Sequence, residues 1–301
     1  MTATATAGAT AITSRGAGTP SRRRGMGWLG LAPFVVYILL FLAVPAVLAL
    51  ASGFFTADGA PTLGNLKALT DPQILLDFAG SFGVSALSAG ISAIVGGLIC
   101  WALLALKPDG LIRTFVDSAS SVFAQFGGVM LAFAWISTIG QGGLVTNLLK
   151  TGGLDINANG PILFSVVGLV FPYTYFGIPL MVLSFMPAMQ GLKSQWGEAA
   201  ATLGATRGVY WVRIAAPVLA PAFFGSLILL FANAFSSYAT AAALIDQGGI
   251  VPLAIKQQLT SETVVGVANT AGVLALGMVI VMAVLMTANS LLERRTRAWQ
   301  R

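Results

Sequence analysis

Six long apolar segments without charge constrain the fold of this chain more than any other feature. They lie near residues 29–52, 80–106, 119–139, 161–187, 215–244 and 264–291, and none contains Asp, Glu, Lys, Arg or His. Each is long enough to cross about 30 Å of hydrocarbon as a helix. Lipid offers no hydrogen-bond partner to a free backbone group, so such segments must be helical. The sequence therefore predicts an all-α integral membrane bundle of six transmembrane helices.

Composition agrees with this prediction and excludes several classes of enzyme. Hydrophobic residues form 56% of the chain and charged residues 9%, against about a quarter charged in soluble domains. The chain has no histidine and one cysteine, Cys100. A Ser-His-Asp triad and metal sites built from His or several Cys are therefore excluded. We predict no catalytic residue and no metal site, and we interpret Cys100 as a small core residue.

Basic residues lie mainly on one side of the six segments. That side carries 13 of them: Arg15, Arg22, Arg23, Arg24, Lys107, Arg113, Lys193, Arg207, Arg213, Arg294, Arg295, Arg297 and Arg301. The other side carries 3: Lys67, Lys150 and Lys256. Its loops also hold six acidic residues: Asp58, Asp71, Asp77, Asp155, Asp246 and Glu262. The positive-inside rule predicts a multi-pass protein of the cell inner or plasma membrane, with both termini in the cytoplasm.

The two ends of the chain are predicted to be basic tails. Residues 1–27 are rich in Ala, Thr, Gly and Ser, which is typical of disorder. A secretory signal with a cleavage site near residues 49–51 is the alternative, but the apolar stretch is too long for a signal core. The transmembrane domain would then cover residues 28–292, and a second cytoplasmic tail would cover 293–301.

Small residues and prolines indicate how the helices pack. Ala89, Ala93 and Gly97 recur every four residues and predict a face for close helix approach. Three prolines interrupt the fourth segment and should kink it: Pro172, Pro179 and Pro187. Such a kink can serve packing or shape a pathway.

Uncharged polar residues recur on one side of two segments. In the third segment, Ser121 and Gln125 share a face with Gly128 and Ala132, and in the fifth Asn233, Ser236, Ser237 and Thr240 do so. The candidates for lining a transport pathway are Ser121, Gln125, Tyr173, Asn233, Ser237 and Thr240. The alternative is hydrogen bonding between helices, worth about 1 kcal/mol or less per contact. The two roles are compatible, because a pathway forms between helices.

The longest predicted cytoplasmic loop, residues 188–214, carries a short amphipathic helix. Trp196, Ala199, Ala200 and Leu203 are spaced to form one apolar stripe. Gly204 follows where a helix ends in the left-handed conformation. Thr206 can then cap a second helix that runs into the fifth segment. A helix lying among lipid headgroups is the alternative, but residues 194–203 contain no Lys or Arg, which favours a protein partner.

The same loop carries a spaced motif. It reads Glu198-Ala199-Ala200, three residues, Gly204, nine residues, then Ile214-Ala215-Ala216-Pro217. This resembles the EAA loop of the permease subunits of binding-protein-dependent ABC importers, in which the last element is I-x-L-P. Ala216 replaces the leucine, and the lost bulk puts packing there in doubt.

The resemblance implies a coupling helix that docks in a cleft of an ATPase subunit. Glu198 would pair with a basic group of the ATPase, Ala199 and Ala200 would allow close seating, and Gly204 would provide the turn. The implied coupling residues are Glu198, Ala199, Ala200, Leu203, Gly204, Ile214 and Pro217. The implied partners are two ATPase subunits that bind the ATP, a second permease subunit (homologue or copy) and an extracytoplasmic binding protein. Residues 236–258 look most like permeases of the polyamine, ferric-ion and phosphonate group.

Two other classes of function remain open at the level of the sequence. An ion-coupled secondary transporter or channel subunit is disfavoured, because such carriers commonly hold ionisable groups at membrane depth. A membrane scaffold would not need polar helix faces. The chain has no Gly-Lys pair and hence no P-loop. If it pumps, the energy enters through another chain.

Overall fold

The structure is a computed structural model that describes residues 27–56, 58–107, 110–158, 160–245, 248–260 and 267–299. Within these ranges the chain is helical and forms no β-strand. The α-helices are α1 (Gly27–Ile38), α2 (Val44–Ser52), α3 (Pro72–Leu104), α4 (Leu111–Phe123), α5 (Gly128–Ile139), α6 (Leu144–Thr151), α7 (Val170–Gln190), α8 (Ser194–Thr202), α9 (Arg207–Tyr210), α10 (Ala216–Ser236), α11 (Ala239–Leu244), α12 (Val251–Thr260) and α13 (Val267–Trp299). The fold class is all-α, as predicted.

The chain divides into two compact units, Met1–Val47 and Leu48–Arg301. The described part of the first unit is α1, a π-helical turn at Leu39–Ala43 and the start of α2. The second unit holds the rest of the helices. The predicted tail at 1–27, apart from Gly27, lies outside the described residues, and α13 continues to Trp299, so residues 293–299 are helical.

Six helical stretches are long and apolar enough to cross a membrane, which confirms the predicted number of spans. They are Leu31–Ser52, Pro72–Leu104, Gly128–Thr151, Val167–Gln190, Arg207–Ser236 and Asn269–Leu291. The protein is therefore a multi-pass membrane protein. Several predicted bounds were wrong, and each error has a local cause.

The second span begins about two turns earlier than predicted. Asp71 caps α3 by accepting a hydrogen bond from the Gln73 N–H at 2.8 Å, and Pro72 occupies the first turn. Asp77 consequently lies in the first two turns of α3 and not in a loop, N-terminal to the predicted segment 80–106. With 33 residues, α3 is about 50 Å long and extends beyond the hydrocarbon.

The predicted third and fifth segments, 119–139 and 215–244, are not continuous helices. Residues 119–123 belong to α4, which packs against α7. The chain then breaks at 124–127, and the stretch from Gly128 to Thr151 consists of α5 and α6. The fifth span ends at Ser236, and α11 follows after a break at 237–238. Gly128, with φ +72°, and the extended Ser237 stop the preceding helices.

Glycines allow α3 and α7 to pack closely against each other. A Cβ on Gly96 would lie 2.6 Å from the Met181 Cβ, and one on Gly177 would overlap the Ser92 hydroxyl. Ala93 is buried beside this contact, as predicted. The predicted Gly97 is not the point of closest approach, since its Cβ would lie at an ordinary 3.5 Å from Phe223. The predicted core position of Cys100 is confirmed, because the residue is fully buried.

Candidate functional site

The predicted amphipathic helix exists as α8, and a complete glycine-based cap ends it. Leu203 closes the helix, and Gly204 follows with φ +77°. The Ala205 N–H donates to the Ala200 carbonyl at 2.9 Å, and the Gly204 N–H donates to the Ala201 carbonyl at 3.0 Å. These are the two hydrogen bonds of a Schellman motif. The predicted left-handed turn at Gly204 is confirmed.

The chain then turns into α9 and the fifth span. Thr206 caps α9, as predicted, by accepting a hydrogen bond from the Val209 N–H at 3.4 Å. A π-helical turn at Trp211–Ala215, which the sequence did not predict, joins α9 to α10 and contains Ile214. Pro217 lies in the first turn of α10, directly after this π-helical turn, so its missing N–H falls within a continuous helical stretch. Turns of this π type often occur at functional sites.

Most of the predicted apolar stripe on α8 is exposed on the surface of the chain. Only Ala200 is buried, at 5% exposure. Leu203 is 87% exposed, and Trp196 and Ala199 are exposed as well. An exposed leucine beside an exposed tryptophan at the end of a short helix is a surface that a partner can cover.

Glu198 lies on the neighbouring face of α8 and lines a cavity of about 360 Å³. Ser194, Gly197 and Ala201 form the α8 side of this cavity, and residues 205–207 and 210–211 form the other side. Glu198 is exposed, and it makes no ion pair within the residues that the structure describes. Its carboxylate is therefore available to a cationic group outside this chain.

The substitution of Ala216 leaves a groove where the motif re-enters the membrane. Ala216 lines an apolar groove of about 430 Å³ between α3, α7 and α10. Trp101 and Trp211 meet edge to face at one part of it, with their ring centroids 6.4 Å apart. Ala216 therefore borders open space within the described chain.

The six pathway candidates divide into a buried and an exposed group, with Ser237 half-buried between them. Tyr173, at 2% exposure, donates from its hydroxyl to the Ser237 carbonyl at 2.9 Å. Thr240, at 0% exposure, donates to the Gly128 carbonyl at 3.2 Å. The Ser237 carbonyl lies just past the end of α10, where carbonyls lose their helical partners, and the Gly128 carbonyl lies in the first turn of α5. For Tyr173 and Thr240, hydrogen bonding between helices is therefore the observed role.

The other three candidates are exposed on this chain. They are Ser121, Gln125 and Asn233. The Ser121 hydroxyl donates to the Asp117 carbonyl of its own helix at 2.9 Å. The predicted continuous faces do not exist, because each break rotates the next helix out of register. The Gly127-Gly128 pair was the sequence signal for the first break, since paired glycines punctuate helices.

In comparison with known proteins, the chain is similar to membrane permeases. It is 27% identical over 210 residues to a probable sulfate transport system permease protein of Anthoceros angustus, covering 69% of this chain and 68% of that one. It is 30% identical over 112 residues to a molybdenum transport system permease protein of Mycobacterium tuberculosis, covering 37% and 39%. No protein-family profile matches the chain. None of these relatives is a polyamine, ferric-ion or phosphonate permease, so that narrower resemblance is not supported.

Solved structures show the same fold. A bacterial alginate ABC transporter in complex with an alginate pentasaccharide-bound periplasmic protein aligns with a TM-score of 0.68 at 16% identity, covering 89% of this chain and 93% of that one. The MetNI methionine ABC transporter in an inward-facing conformation aligns with a TM-score of 0.54 at 15% identity, covering 76% and 97%. The bundle therefore has the architecture of a type I ABC importer permease.

Proposed function

We propose that this chain is the transmembrane permease subunit of an ATP-driven ABC importer. One observation carries the proposal: the loop between the fourth and fifth spans folds as two short helices around Gly204 and exposes Trp196, Ala199 and Leu203. This exposed apolar surface is available to a partner such as an ATPase subunit. The permease relatives and the shared fold support the same function.

The proposed assembly has the parts that the motif implies. Two ATPase subunits bind and hydrolyse the ATP, and α8 of each permease seats against one of them. A second permease subunit completes the pathway, and an extracytoplasmic binding protein delivers the solute. Closure of the ATPases would move α8 and rock the bundle between outward-facing and inward-facing states. The chain itself performs no bond chemistry and needs no cofactor.

The proposed orientation places α8 in the cytoplasm. The 13-to-3 distribution of Lys and Arg supports it, because basic loops stay on the cytoplasmic side. Exposed Gln125 and Asn233 would then face the second permease subunit, since polar side chains are costly against lipid.

The cargo that we propose is a small tetrahedral oxyanion. The relatives are named for transport of sulfate and of molybdate, and both of these anions are tetrahedral oxyanions. Phosphonate, which belongs to the group suggested by residues 236–258, has the same geometry. Polyamines and ferric ion are cations, and the relatives give no support for them.

The function is tested in proteoliposomes containing the chain with its partner ATPase, second permease subunit and binding protein. We expect ATP-dependent uptake of labelled sulfate, molybdate or phosphonate, and none of putrescine. Glu198→Lys sets like charges against each other at the docking surface, which costs several kcal/mol. It should abolish uptake and co-purification of the ATPase together.

A matched control adds bulk outside the stripe. Ala199→Trp should block docking of α8 on the ATPase. Val212→Trp adds the same side chain at an exposed position outside α8 and should leave uptake intact. Uptake that follows an ion gradient without any ATPase would instead identify a secondary transporter. Uptake of putrescine alone would refute the oxyanion but leave the permease function standing.

A further inference from the structure

A buried carboxylate sits at the predicted outer end of α3, away from the loop that carries the motif. Asp77 is 4% exposed, and it is the one buried acidic residue in the part of the chain that the structure describes. The Gln73 side-chain amide donates to its Oδ1 at 3.4 Å. A buried carboxylate is costly unless hydrogen bonds stabilise it, so its partners indicate what it holds.

The second partner of Asp77 is distant in sequence. The Gly249 N–H donates to the same Asp77 oxygen at 2.9 Å, and one turn along α3 the Ser81 hydroxyl accepts from the Val251 N–H at 2.8 Å. We call residues 248–251 the strap. It joins α11 to α12, and α3 thus holds it by two hydrogen bonds to its backbone.

Glycines allow the strap to lie flat on α3. A Cβ on Gly80 would overlap the Gly249 carbonyl oxygen, and a Cβ on Gly249 would overlap the Val166 side chain. Gly248 and Gly249 both have positive φ, at +59° and +81°. A side chain at Gly80 or Gly249 would push the strap away from α3, so this contact requires glycine at both positions.

The strap also connects two clusters of the bundle. Ile250, at 3% exposure, packs in the cluster that contains Tyr173 and Ala241, beside the breaks of the third and fifth spans. Val251, fully buried, packs with Leu274 of α13. A movement of the strap therefore changes the packing of the fifth and sixth spans at once.

We infer that Asp77 is a positioning residue which, with Ser81, latches the strap to α3 and so holds the outer side of this half of the pathway closed. This inference rests on the proposed function for its role in transport. Outward opening requires the strap to leave α3, and both hydrogen bonds to break. Binding of the loaded binding protein would supply the free energy for that step.

The latch is tested first by thiol labelling, which needs only the chain in its membrane. Ile250→Cys in a Cys100→Ser background should resist a membrane-impermeant maleimide, because the position is buried. Adding Asp77→Ala should raise the labelling rate by about tenfold or more, since a hydrogen bond to a charged group is lost. Asp77→Asn keeps an oxygen acceptor and should restore most of the protection.

Two matched pairs separate the latch from general loosening of α3. Ser81→Ala removes one strap bond, whereas Ser88→Ala removes a buried serine that bonds only to Ser85 of its own helix. Gly80→Ala displaces the strap, whereas a methyl group on Gly90 meets nothing within 4 Å. Labelling should rise in the first member of each pair alone. If Asp77→Ala does not accumulate, these pairs decide the question.

The assembled transporter provides the functional readout. Asp77→Ala should raise ATP hydrolysis in the absence of the binding protein several-fold, and Asp77→Asn should return it toward the unmodified level. Unchanged labelling in Asp77→Ala and Ser81→Ala, or equal rises in Ser88→Ala, would overturn the latch. Labelling that responds in a chain which recruits no ATPase would leave the latch intact and overturn the proposed function.

Discussion

The substitution Gly204→Ala isolates the conformational requirement of the α8 turn. A Cβ on Gly204 would meet no atom within 4 Å, so the added methyl group creates no clash. The backbone is at φ +77°, where an L-residue costs about 1–2 kcal/mol. The whole effect of the substitution is therefore this backbone cost. If ATPase docking requires the Schellman turn, affinity for the ATPase should fall by roughly 5–30-fold.

Gly208 provides the matched control for this measurement. It lies four residues away in α9, its Cβ would also meet nothing within 4 Å, and its φ is not positive. Gly208→Ala should leave ATPase affinity unchanged. Gly204→Asn should weaken binding less than Gly204→Ala does, because asparagine tolerates the left-handed region.

The assay is the dissociation constant of the purified ATPase for the permease pair in lipid nanodiscs. Equal constants for Gly204→Ala and Gly208→Ala would refute the reasoning, since they would mean that the docked loop does not use the turn. A loss larger than a hundredfold would refute it too, because the backbone term alone cannot supply that much free energy.

Two further predictions concern packing and topology. Gly96→Ala should destabilise the α3–α7 contact by about 1–3 kcal/mol through overpacking, whereas Gly90→Ala should not lower the thermal midpoint in detergent; equal melting of both would contradict the contact. In a cysteine-free background and intact cells, an impermeant maleimide should label Lys67→Cys but not Lys107→Cys, and it should label Asn233→Cys in only one transport state. Labelling of Lys107→Cys alone would invert the topology, and an Asn233→Cys that never reacts would remove it from the pathway.

Local signals explain which features could be predicted from the sequence. The turn at Gly204 and the cap at Thr206 depend on a few adjacent residues, so both can be predicted from the local sequence. The start of α3 is equally visible in Asp71-Pro72, a capping residue followed by a first-turn proline, whereas hydropathy alone predicts a later start and leaves Asp77 in a loop. Both the success and the error concern short-range chemistry.

Features that depend on neighbouring helices could not be read from the sequence. The small-residue repeat predicted a close face on α3, but whether Gly96 or Gly97 meets α7 is set by rotation of the helix against its partner. The hydrogen bond from Thr240 to Gly128 joins residues 112 positions apart. Periodicity describes one helix at a time and carries no information on such pairs.

The breaks in the third and fifth spans have a mechanical consequence. A continuous helix is a stiff rod, and tilting one end displaces the other. Because α10 stops at Ser236 and α5 begins at Gly128, neither helix continues rigidly past these breaks, and the bundle can bend there. A pull on α8 can swing α10 as a short lever about the break at 237–238. The Thr240–Gly128 hydrogen bond lies at these breaks, where the cytoplasmic and outer parts of the bundle can slide relative to each other without bending a helix.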